Sequence, residues 1–255
     1  MSIRLFVVSF ATAFVLIPFA LAQADPQPPV VRMTDGGGNG RMESIFVPPK
    51  AGAPFSLTLA TDWTRPLGSG GTYTLANERH IVRDSKGRIY QERWILVPKG
   101  GKLKSWMDVF QITDPELHTW FNCITRTKVC DLYAYHRTTT EKFEPAIGTS
   151  GALPDGSGFR QHEDLGIGAI EGLEAHGYRE TTTINPGVMG NSEAMVVMRE
   201  FWFSPQLGFN LKSTVSSPDT GTQVFTIKEL STSEPEPHFF EIPGDYKVVD
   251  RRSEQ

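Results

Sequence analysis

Residues 197–215 constrain the fold more than any other part of the chain. In 197–203 and 209–215 the odd positions carry Val197, Phe201, Phe203, Phe209, Leu211 and Val215, and the even ones include Glu200, Asn210, Lys212 and Thr214. A side-chain period of two sends the two sets to opposite faces of an extended chain, so this is a hairpin with one buried face. Ser204-Pro205-Gln206-Leu207-Gly208 supplies its loop. Weaker signals of the same kind place strands at 55–64, 72–83, 88–97, 106–113, 118–124, 129–135, 173–184 and 222–230. Helical periodicity is lacking. About nine or ten strands at these spacings predict a mainly β domain over 54–250, built as one strongly curved antiparallel sheet or half-barrel, with a β-sandwich as the alternative.

Asp84-Ser85-Lys86-Gly87 reads as a turn with Gly where a positive φ is wanted. A register setting Arg83 opposite Arg88 would pair Arg79 with Glu92 and Glu78 with Arg93, two cross-strand ion pairs. Residues 141–162, rich in Gly, read as one long loop.

The N-terminus gives an address. Arg4, an apolar run over 5–19 and Ala20-Leu21-Ala22 match a signal peptide over 1–22, cut before Gln23. The run is short for a retained anchor, which is the alternative. Residues 23–53 hold Pro26, Pro28, Pro29 and the string Gly36-Gly37-Gly38-Asn39-Gly40, and read as a flexible segment with one short strand near 45–47. The protein is thus expected in the periplasm or outside the cell, with no transmembrane segment in the mature chain. A net charge of −4 leaves no basic surface for nucleic acid. The cluster Lys99, Lys102 and Lys104 sits among glycines and reads as a solvated loop.

Cys123 and Cys130, the only two cysteines, flank a segment that reads as strand, tight turn at Arg126-Thr127, strand. Directly opposed positions of an antiparallel pair bring Cα atoms within bridging distance, and export supplies an oxidising compartment. A structural disulfide is expected; a thiol or metal site lacks its spacing.

Catalytic patterns are weak. Asp219-Thr220-Gly221 follows Ser217-Pro218 rather than a hydrophobic strand, has no second copy and reads as a turn. Ser69, Ser150 and Ser157 lie beside glycines without the G-x-S-x-G elbow. The six histidines show no ligand spacing, and His118 and His136 are expected on opposite faces of the cysteine hairpin. Glu163-Asp164 and the pair Glu234, Glu236 read as solvated carboxylates. No catalytic residue, metal site or cofactor is assigned. Aromatic residues are the remaining asset: Trp94, Trp106, Trp120 and Trp202 either fill the core or line a concave surface that takes a ligand.

Several strings resemble a family of uncharacterised exported proteins abundant in acidobacterial genomes. They are Arg83-Asp84-Ser85 with Gly87-Arg88, Asp114-Pro115, Glu163 with Leu165-Gly166, and Ile170-Glu171-Gly172 with Gly177 and Arg179. Gly190-Asn191, Glu200 with Trp202 and Ser204-Pro205, Pro218 with Thr220-Gly221, and Pro243 with Asp245-Tyr246 complete the set, which covers 55–248. The resemblance implies no activity. More remotely, the expected architecture is similar to the half-barrel of lipoprotein-carrier proteins, and fold alone does not fix function. The leading expectation is a protein that binds a lipid or other amphiphile on a concave sheet face. An envelope-tethered module that contacts another protein and a hydrolase with its site in the 141–162 loop are the alternatives.

Overall fold

The computed structural model describes residues 45–141, 145 and 148–254. The expected signal peptide and the segment 23–44 lie outside the described residues. Among the described residues no helix is long and apolar enough to cross a membrane.

Among the described residues fourteen strands form one sheet. In chain order they are β1 (Phe55–Pro66), β2 (Thr72–Arg83), β3 (Ile89–Trp94), β4 (Val97–Pro98), β5 (Met107–Asp114), β6 (Thr119–Ile124) and β7 (Val129–Ala134). Then come β8 (Gly151–Ala152), β9 (Gly158–Ile170), β10 (Leu173–Ile184), β11 (Met195–Ser204), β12 (Phe209–Ser217), β13 (Gly221–Ser231) and β14 (Lys247–Asp250). Across the sheet the order is β14-β7-β6-β5-β3-β2-β1-β13-β12-β11-β10-β9-β8, with β4 on β2. Only β14, which joins β7 in parallel, departs from antiparallel pairing. The sandwich alternative is excluded, and the count exceeds nine or ten. The short β4, β8 and β14 carry too few residues to alternate visibly.

β9 is the larger correction. The end of the expected 141–162 loop, from Gly158 on, is strand, because β9 pairs with β10 from Gly158 opposite Ile184 to Ile170 opposite Leu173. Its glycines and charges hid it, since backbone pairing rather than an apolar face defines this edge.

The Asp84 hairpin is closed by three residues. Arg83 opposes Ile89, and Asp84 N–H donates to the Arg88 carbonyl at 3.1 Å. The Asp84 carboxylate accepts from the N–H groups of Lys86 and Arg88 and from Arg88 Nε at 2.7 Å, while Gly87 takes φ +87°. One extra residue in the loop shifts the register by one and turns every side chain to the other face. The register therefore does not set Arg79 opposite Glu92 or Glu78 opposite Arg93; Arg79 Nη1 donates to the Glu92 carbonyl at 3.3 Å. Glu78 instead pairs with Lys228 on β13 at 2.6 Å, and Arg79 is buried.

Residues 45–53, assigned from sequence to the flexible segment, form no strand and turn at Ala51-Gly52. Ile45, Val47 and Ala53 are buried, the first two within the main core with Phe55, Leu57, Leu59, Ile81, Leu207, Phe209, Leu211, Phe225 and Ile227. A smaller cluster of Phe110, Ile112, Cys123 and Cys130 forms on the other face, beneath Ile242 and Tyr246. Cys123 opposes Cys130 and the disulfide is formed, with Thr125 to Lys128 making a four-residue turn in place of the expected two.

Candidate functional site

The face that bears the main core is the inside of a curl. The rings of Phe55 on β1 and Phe209 on β12 lie 5.0 Å apart although β13 runs between those strands. Arg83 on β2 reaches the β11–β12 loop, donating through Nη2 to the Leu207 carbonyl at 2.8 Å. It also donates through Nε to Ala53 and through Nη1 to Pro48. Burial lowers its pKa to about 10, and Lys50, which donates to the Pro205 and Gln206 carbonyls, is lowered by burial and by the Arg83 charge. At this lower end the chain fills its own concavity.

Toward the upper end the concave face turns polar. Register carries one row of side chains across seven strands: Asn77, Thr61, Phe225, Ser213, Phe201, Tyr178 and Asp164. The next row runs Trp63, Gln223, Val215, Arg199, Glu180 and His162. On the other arm, Gln91, Gln111, Asn122 and Asp131 face the same way, in the lower row that contains Leu57 and Ile81. Gln91 Nε2 donates to Gln111 Oε1 at 3.1 Å, and Gln111 Nε2 donates to Asn122 Oδ1 at 2.8 Å. Arg93 Nη2 donates to Gln91 Oε1 at 3.0 Å. From β1 to β9 the inner surface is thus graded, apolar below and hydrogen-bonding with aromatic residues above, whereas on β3 to β6 the amides lie at the lower level.

One chain of side chains stands out chemically. His176 Nε2 meets Asp164 Oδ1 at 2.8 Å, and the Tyr178 hydroxyl meets His176 Nδ1 at 2.6 Å. With the ring proton on Nε2 facing the carboxylate, Nδ1 accepts from the phenol. The Gly166 N–H, first, and His176 hold the Asp164 carboxyl below the usual range. A carboxylate that orients an imidazole able to take a phenolic proton is equipped for proton transfer and for fixing a polar group. His176 and Tyr178 at i and i+2 of a strand were visible in sequence. That Asp164 opposes Tyr178 was not, because β9 read as loop.

The four tryptophans are not gathered. Trp94 Nε1 donates to Glu92 at 2.8 Å on the convex face, and Trp106 stands exposed before β5, its carbonyl accepting from Ile95. Trp120 packs against Tyr133 on the concave side of β6 and β7. Trp202 lies over Gly168 and Gly177, donates to Glu200 and packs on the main core. Glu200 in turn binds Arg179, which also holds Glu163. Among the described residues no set of three or more His, Cys, Asp or Glu side chains is arranged to hold a metal. A cleft of about 410 Å³ lies on the convex side, where residues 232–240 cross β1 and β2; Thr58 donates there to Glu229, and His80, Val82 and Phe239 line it.

No family model matches the chain, and no curated protein is similar to it in sequence. Among solved structures, it is similar to an uncharacterized conserved protein from Thermus thermophilus at 11% identity, over 78% of this chain and 91% of that one, with TM-score 0.37. It is similar to the lipoprotein LppX of Mycobacterium tuberculosis at 11% identity, over 71% and 88%, with TM-score 0.25. A LolA-superfamily protein from Nitrosomonas europaea matches at 7% identity, over 74% and 90%, with TM-score 0.23. Likenesses at these scores carry no argument about ligand or activity.

Proposed function

We propose that this chain is an exported protein that holds an amphiphile on the concave face of its open sheet. The observation that carries the reading is the polarity gradient along the strands. Leu57, Leu59, Leu211 and Ile227 give way within one or two residue pairs to Thr61, Ser213, Gln223 and Asn77, with Phe201, Phe225, Val215 and Trp63 interspersed. Apolar surface with a few convergent polar groups is the usual make-up of a small-molecule site, and here the apolar part takes a chain while the amides and the Asp164–His176–Tyr178 series take a polar group. The sheet path ends at β14 on one side and β8 on the other without closing; Trp63, Thr61, Gln223 and Phe225 in its middle are buried, so a ligand would enter from the β9–β11 side, where Phe201 and Tyr178 are half-buried. Export rests on the N-terminal sequence. The test is native mass spectrometry of protein purified after secretion, with uptake of a fluorescent fatty-acid probe. Bound amphiphile or saturable uptake, reduced at least fivefold by Phe201→Asp, is the expected result. Empty protein without uptake counts against the reading.

A second reading, general acid–base chemistry on a bound ester, is favoured by the 2.6 Å and 2.8 Å contacts of His176 alone. Turnover of generic esters that His176→Gln abolishes would support it; equal rates for both proteins would dismiss it.

A further inference from the structure

The strand directions bring the β1–β2, β3–β5 and β10–β11 connections to the same, upper end of the sheet, opposite the filled end of the concavity. Large apolar side chains are exposed there from all three. Leu67 stands in the first, Leu103 at 66% exposure and Trp106 at 55% in the second, and Val188 with Met189 at 68% in the third. A soluble surface carries scattered apolar residues as a matter of course, but loop tips from three hairpins converging on one rim form a set.

Charge adds an independent observation. The β3–β5 connection, residues 95–106, contains Lys99, Lys102 and Lys104 and no acidic residue, in a chain whose net charge is −4. Lys99 is tied to Asp62 at 2.7 Å, whereas Lys102 and Lys104 flank exposed Leu103. Arg126, in the β6–β7 turn, adds a further basic group at this end; Asp155 and Asp219 sit in other upper turns and Glu193 in the β10–β11 connection itself. Lysines interleaved with an exposed Leu and Trp match the headgroup zone of a bilayer, where ammonium groups meet lipid phosphates and an indole sits at the interface.

We propose that this rim docks on an anionic lipid surface, with the 95–106 connection as its main contact and the Leu67 and Val188–Met189 tips as auxiliary ones. Docking in this pose sets the upper, polar end of the concave face against the headgroups. The proposal goes beyond ligand holding and does not require it. Vesicle binding and probe uptake are separate readouts, and either can fail alone.

The experiment is flotation of the exported, purified protein with phosphatidylcholine vesicles containing or lacking phosphatidylglycerol. The protein is expected to float with the anionic vesicles at low salt and to be released as salt rises. Leu103→Ser with Trp106→Ser lowers the partition coefficient about tenfold or more. Lys102→Glu with Lys104→Glu lowers it by a similar factor on anionic vesicles, since each lysine near such a surface contributes roughly fivefold. Leu117→Ser, at 70% exposure on the opposite end, leaves it unchanged. Wild-type protein that stays at the bottom of the gradient overturns the proposal. So do rim variants that float like wild type, an equal loss in Leu117→Ser, or rim substitutions whose sole effect, by analytical ultracentrifugation, is to dissolve a dimer.

Discussion

Arg83 Nη2 donates to the carbonyl oxygen of Leu207 at 2.8 Å, a contact that joins the end of β2 to a loop three strands away. The same fully buried guanidinium serves the carbonyls of Pro48 and Ala53 and lies 4.9 Å from the Phe55 ring centroid. It thereby fastens residues 45–53 and 204–208 over the lower end of the concavity. Arg83→Leu leaves three buried carbonyls without their donor and is expected to cost about 3–5 kcal/mol. Arg83→Lys recovers little, since one ammonium cannot reproduce a planar fork serving three directions. Urea unfolding monitored by circular dichroism gives the number, and a loss below about 1 kcal/mol would show that the anchor is dispensable.

The Cys123–Cys130 bridge spans a short loop, with a sequence separation of 7, on a pair whose residues are both 0% exposed. Loop-closure entropy for so short a link gives about 2 kcal/mol. Full burial also shields the sulfurs from an attacking thiolate. The folded protein should therefore resist millimolar dithiothreitol over hours, with both thiols released once urea is added. Quantifying free thiols against time in the two conditions checks this; fast reduction without urea would place the bridge at the surface.

Trp202 is held by the absence of side chains beneath it. A Cβ built on Gly168 would stand 2.8 Å from its ring, and one on Gly177 would stand 2.9 Å from Leu165 Cβ and 3.0 Å from the indole. Gly168→Ala should cost about 1–3 kcal/mol by overpacking. Its cost should shrink when combined with Trp202→Leu, because the clash partner has gone. A double-mutant cycle reads the coupling directly, and strict additivity would mean that the ring moves aside freely.

How much of this was legible beforehand follows from the kind of signal each part emits. The hairpin of β11 and β12 was plain because Phe209, Leu211 and Val215 alternate with Asn210, Lys212 and Thr214 against one packed face. The cysteine hairpin was plain for a similar reason, since opposed positions and a bridge fix the same register. The Asp84 hairpin was found but slipped by one residue. Asp84 satisfies Lys86 and Arg88 with its own carboxylate, and a three-residue loop scores no differently in sequence from a two-residue one. That slip hid Arg83 as a core residue. β9 was missed because its partner, not its composition, makes it a strand, and with it went the contact of Asp164 with His176. Segments such as residues 45–53, rich in Pro and Gly, look unstructured until a distant guanidinium supplies the donors that their carbonyls need.

Tyr90 offers a pH test with a definite sign. Its ring packs near Phe110 and Phe239, and its hydroxyl donates to Glu92 Oε1 at 3.1 Å. Burial first, and then the Glu92 charge and hydrogen bond, raise its pKa well above the ordinary phenol value. In the unfolded chain the phenol releases its proton near pH 10, whereas the folded protein keeps it. Above that pH the unfolded state therefore binds fewer protons, and stability falls as pH rises toward the folded pKa. Each such group contributes a slope of up to about 1.4 kcal/mol per pH unit. Tyr135, pushed up to about 12 by burial, adds to the same trend. Tyr90→Phe gives up the bond to Glu92 and should be less stable at pH 7, yet its stability should decline more shallowly above pH 10. Urea midpoints at pH 7, 10 and 11 would show the two curves converging. Parallel curves would mean that Tyr90 ionises in the folded state as readily as in the unfolded one, and that the packing of Phe239 over β3 does not exclude water.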